Sequence, residues 1–67
     1  MSDIKFPQVH VQLTGNDGNA FMVMGLVIKE MRRAGLPRED IDAYQNEAMS
    51  GDYNHLLVTT MKTVDVL

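Results

Sequence analysis

The chain has 67 residues, a formal net charge of −3, no cysteine and a hydrophobic fraction of 45%. That length confines it to one domain, the missing cysteine excludes disulfides and thiolate zinc sites, and the mild acidic excess argues against nucleic acid, whose phosphates require a basic surface. A domain this small buries only about 60% of the surface its unfolded chain exposes, and with only His10 and His55 as imidazole ligands the expected reinforcement is a second copy of itself.

Residues 1–7 read as an N-terminal arm. The opening MSDIKFPQ has no apolar run and no cleavage pattern, and the apolar stretch 20–28 is far short of the ~20 residues that span a bilayer. A soluble, cytoplasmic protein with no membrane partner is expected. Over residues 8–14, Val9, Val11 and Leu13 alternate with polar neighbours, the period of a half-buried strand. His10 and Gln12 share its outer face, and Pro7 stands just ahead, where a missing N–H does least harm.

The stretch TGNDGNAFMVMGLV follows. Asp17-Gly18 is a hairpin signal, but a helix over 20–34 is the better reading. Asn19 is a good N-cap, Phe21, Met24, Ile28 and Met31 recur at helical spacing, and Lys29, Arg32 and Arg33 stand where the dipole favours cations. Gly35 supplies the stop. The first half of this helix is apolar nearly all round, with Met22, Val23, Leu26 and Val27 joining the stripe. Gly25 in its middle costs about 1 kcal/mol against alanine, which suggests close approach of another backbone.

A second helix is expected over 38–49. Pro37 suits its start, Glu39 and Asp40 suit the positive dipole end, and Ile41, Tyr44 and Ala48 form a narrow stripe ended by Gly51. Asp52 caps a third helix over 53–63, with Leu57, Met61 and Val64 as its stripe. Residues 63–67 alternate again and form a candidate second strand. The expectation is an α+β fold of one N-terminal strand, three helices and a short C-terminal strand, completed by oligomerisation, because a lone strand needs partners for its N–H and C=O groups. The interface between copies is expected at Val9, Val11, Met22, Val23, Gly25 and Leu26.

The chemistry is sparse. A strand, a glycine-rich turn and a helix N-terminus make the general recipe for an anion site, so Gly15, Asn16, Asp17, Gly18 and Asn19, with Arg32 and Arg33, are the candidate ligand-binding residues. Neither G-x-G-x-x-G nor the P-loop pattern is present, and Asp17 opposes a phosphate. A calcium loop lacks its closing glutamate. Glu39, Asp40, Asp42 and Glu47 read as a solvated helix face. Ser2 and Ser50 have no histidine or lysine at a telling spacing, so no catalytic residue, metal ligand or cofactor is expected and the chain reads as a non-enzyme.

The segments VHVQLTGNDGNAF, RRAGLPREDIDAY and EAMSGDYNHLL resemble a group of short uncharacterised proteins of bacteriophages and prophages, sharing a G-x-D-G-N-A-F turn, an R-R-A-G helix end and an S-G-D-Y segment. The likeness runs from about Val9 to Leu57. It implies an accessory protein that works by binding, in the host cytoplasm, either a host protein or a small signalling molecule. The leading expectation is interaction with a host component; the alternative is an oligomer that sequesters a nucleotide or other phosphorylated small molecule.

Overall fold

A computed structural model describes residues 4–13 and 19–67. Thr14 of the expected strand and Gly15, Asn16, Asp17 and Gly18 of the expected anion loop lie outside the described residues. The order is β1 (Phe6–Val11), α1 (Ala20–Arg33), α2 (Arg38–Ala48), α3 (Tyr53–Thr63) and β2 (Val64–Val66), an α+β architecture. The strand begins two residues earlier than its alternation suggests, because the Lys5 N–H donates to the Lys62 carbonyl at 2.9 Å and draws Phe6 into register with Val64.

β1 and β2 pair in parallel, so the strand's partner comes from the same chain. Pairing steps from Phe6–Val64 to His10–Asp65, and β1 bulges across Pro7, Gln8 and Val9. Pro7 offers no N–H to a ladder, which is reason enough for pairing to lapse there. The Leu67 N–H then closes onto the Val11 carbonyl at 2.8 Å. His10 Nδ1 meets Asp65 Oδ2 at 2.8 Å on the exposed face, so the outward histidine has a cross-strand partner.

The helix ends follow their caps. The Asn19 side chain accepts from the Met22 N–H at 3.1 Å, and Asp52 accepts from the His55 N–H at 2.9 Å. After α1, Gly35 takes φ +82, its N–H donates to the Arg32 carbonyl at 3.0 Å, and the Leu36 N–H donates to Met31 at 3.2 Å. That is a Schellman stop, with Leu36 folded back against the core. Gly51 has a different job. It has no positive φ, and a Cβ there would lie 2.8 Å from the Cβ and Cγ of His55, so this glycine admits an imidazole rather than ending α2.

Val9, Val11, Val23, Val27, Met31, Leu56 and Val64 form the driest part of a single core. The Cα radius of gyration, 10.7 Å, matches the roughly 11 Å of a compact chain this long. Two expected stripes are corrected. On α1 the buried set is Val23, Met24, Val27 and Met31; Ile28 is only half-buried and Phe21 is 79% exposed. The valines beside the stripe turn inward to join Val9 and Val11, and Phe21 is rotated out. On α3, Leu56, Thr59, Thr60 and Thr63 face inward, while Leu57 is half-buried and Met61 is exposed. Threonine matches valine in shape, and its hydroxyl is satisfied by the helix: Thr60 donates to the Leu56 carbonyl at 2.9 Å and Thr63 to Thr59 at 2.7 Å. The α2 stripe of Ile41, Tyr44 and Ala48 is buried as its spacing predicts.

Candidate functional site: an apolar groove beside a Glu–Ser–His corner

The sequence-derived candidates separate into distinct places. Val9, Val11 and Val23, expected between copies, lie in this chain's own core and are at most 2% exposed. Met22 and Gly25 are exposed and Leu26 is half-buried, so these three remain on the outer side of α1. Asn19 and Arg32 stand at opposite ends of α1, roughly 20 Å apart at 1.5 Å per residue. One copy therefore cannot close both ends of that helix around one small ligand. Arg32 and Arg33 also border different recesses: Arg32 lies with Leu36, Arg38 and Gln45, and Arg33 with Gln8, His10 and Glu30. Arg33 is paired with Glu30 at 3.5 Å.

The α2–α3 corner carries a cluster that sequence spacing did not reveal. His55 Nε2 lies 2.8 Å from Glu47 Oε2 and 3.1 Å from Ser50 Oγ. The Ser50 hydroxyl donates to the Glu47 carbonyl at 2.7 Å. A carboxylate only accepts, so Nε2 carries the proton and shares it between Glu47 and Ser50. A nucleophile–base–acid relay needs serine on one ring nitrogen and the carboxylate on the other. Here both sit on one nitrogen, and the serine proton is directed at Glu47, whose carbonyl lies 2.7 Å and whose Oε2 lies 3.2 Å from Ser50 Oγ. The cluster is wired as a clamp across the corner. The hydrogen bond from His55, then that from Ser50, holds the exposed Glu47 carboxyl below its ordinary range. Its signals were the Asp52 cap, which sets His55 in the first turn of α3, and Gly51, which opens room for the ring.

Beside this corner runs an apolar groove of about 230 Å³ between the start of α1 and the α2–α3 turn. Phe21, Met24, Met49, Tyr53 and Leu56 line it. Met24 and Leu56 form its floor from the core, while Phe21 and the 57% exposed Met49 stand on its rim. The helix cap at Asn19 and the clamp at His55 fix the two walls. A second, more polar recess of about 550 Å³ lies at the other end of α1, bordered by Arg32 and Arg38. It opens at the start of α2, where Pro37 provides no side-chain cap.

Among the described residues no three His, Asp or Glu side chains gather as metal ligands, and no helix is long and apolar enough to cross a membrane. No family model, curated protein or solved structure matches the chain.

Proposed function

We propose that this chain is a non-catalytic accessory protein of bacteriophage type that acts by binding a host protein in the cytoplasm, with the Phe21–Met49 groove as its docking surface. The observation that carries the reading is the Phe21 ring, 79% exposed at the rim of a groove floored by core residues. Exposing an aromatic ring to water is costly, and buried aromatic anchors dominate protein interfaces. Methionine on the opposite rim suits a surface that adapts to its partner. The shared proton of the Glu47–Ser50–His55 clamp supports a structural rather than a catalytic use of that serine.

The test compares two baits, the natural chain and Phe21→Asp, in capture from bacterial lysate. A stoichiometric protein retained by the first and lost by the second is the expected result. Failure of the natural chain to retain any such protein counts against the reading.

A second reading has its own observation. Arg32 and Arg38 flank a recess at the start of α2, where Pro37 makes no side-chain cap and the helix dipole favours an anion, with Asp42, 3.7 Å from Arg38, as the opposing charge. There the chain captures a nucleotide or other phosphorylated small molecule. A ligand that binds the folded state raises Tm, so a flat thermal-shift screen across nucleotides, cyclic ones included, removes it.

A further inference from the structure

Gly25 answers to no contact among the described residues. It lies mid-helix with no positive φ, is exposed, and an added Cβ would meet no described atom within 4 Å. Glycine at an exposed helix position costs about 1 kcal/mol against alanine, so its use there needs a reason from outside the chain. Its neighbours on the outer side of α1 are the 51% exposed Met22 and, one turn on, Lys29. Met22, Gly25 and Lys29 are spaced by three and four residues, the spacing of a helix–helix seam.

We infer that a second copy of the chain packs on this seam, its α1 running antiparallel to the first and crossing it at Gly25. Charge decides the direction. Parallel pairing sets Lys29, Arg32 and Arg33 of both copies side by side; antiparallel pairing sends the two trios to opposite ends. Each trio then arrives at the other copy's α1 start, where Asp52 borders the same groove as Ala20 and Phe21. Lys29 and Arg32 form no ion pair with the described residues of their own chain and are available for this. Crossing at Gly25 also sets Lys29 of one copy opposite Phe21 of the other, four residues to either side, an arrangement suited to a cation over an aromatic face. The glycine lets the two backbones approach, and Met22 packs beside the crossing. The outer face of α3, with Val58 and Met61, has no comparable glycine and is the control surface.

The inference shares Phe21 with the host-partner reading, but its test is separate, because self-association is read on the isolated chain with no host protein present. Sedimentation across a wide range of concentrations tests it. The natural chain is expected to reach twice the 7.5 kDa of one copy, while Gly25→Leu stays at the single-copy mass. Leucine favours the helix and meets open space in the single copy, so the variant folds, which circular dichroism verifies. The chain has no cysteine, which permits a second test. Gly25→Cys is expected to oxidise to a covalent pair, because a disulfide needs Cα atoms about 6 Å apart, and Met61→Cys is not. A natural chain that remains at single-copy mass overturns the inference, as does a Gly25→Leu variant that still pairs, or equal crosslinking from Met61→Cys.

Discussion

The α2–α3 seam and the outer side of α1 are built on opposite terms. In the seam, the buried hydroxyls of Tyr44, Thr60 and Thr63 are answered: Tyr44 OH lies 2.7 Å from Thr60 Oγ1, Thr60 bonds on to Leu56, and Thr63 bonds to Thr59. Among the described residues no buried side-chain N or O lacks a partner. On the outer side of α1, apolar groups of the single copy face away from the described residues: Phe21, Met22, and Gly25, where an added Cβ would meet no described atom within 4 Å. The contrast separates residues that hold the chain together from residues kept for something outside it. A seam holding Tyr44, Thr60 and Thr63 is stable because those hydroxyls are satisfied where they are buried. An exposed phenylalanine contributes little to the fold and is a candidate anchor for that reason.

The comparison is broken most sharply in the core of the seam. Leu56→Ala leaves a cavity beneath Thr60 and Met24, and a loss of about 2–5 kcal/mol is expected in urea unfolding, enough to unfold much of so small a domain. Next comes Asn19→Ala, which strips the α1 cap and should cost about 1 kcal/mol by the same measurement.

Tyr44→Phe should cost a similar amount, about 0.5–1.5 kcal/mol, since Thr60 keeps its bond to Leu56. Burial raises the Tyr44 pKa and the Thr60 hydrogen bond only partly offsets it. A raised folded-state pKa means that Tyr44 contributes its full stability below the ordinary tyrosine value of 10.0, and loses it as pH climbs through the folded one. The phenylalanine variant should therefore show a flatter alkaline limb in Tm against pH.

Glu47→Gln is a smaller perturbation, because the carboxylate is exposed. Its folded pKa is lowered, so the clamp's contribution is present above the ordinary glutamate value of 4.5 and disappears as pH falls through the folded one. The variant should lose a little stability at neutral pH and show none of the acid-dependent decline that Glu47 contributes, which a comparison of Tm at acid and neutral pH reads directly. Smallest of all is Phe21→Asp, expected within about 0.5 kcal/mol of the natural chain in urea unfolding. A large loss from that change would place Phe21 among the residues that hold the fold and erase the distinction.

How far the sequence reached differs between these two regions. It identified the caps at Asn19 and Asp52, the Gly35 stop, the inward face of α2 and the unusual character of early α1. It misjudged α3 because threonine counts as polar in any hydropathy pattern, yet back-bonds to its own helix and packs like valine. The Phe21–Ile28 stripe failed for a related reason. Every residue of early α1 but Gly25 is apolar, so the pattern cannot say which side turns inward, and the position of β1 decides it. Of the candidate site, Arg32 and Arg33 were placed on the right helix end, but their separation into two recesses depends on how α2 and β1 flank that end. The Glu47–Ser50–His55 clamp joins two helices across a turn, so no local spacing shows it.

What the sequence by itself determined is local: where helices start and stop, because capping and left-handed stops depend on a few adjacent residues. It also fixed the exclusions, since a chain without cysteine cannot form a disulfide. The tertiary structure alone decided which faces are hidden, that the two chain ends pair in parallel, and which side chains meet at the α2–α3 corner. Those outcomes depend on which surfaces find partners after the elements have formed, and that is a property of the packed whole.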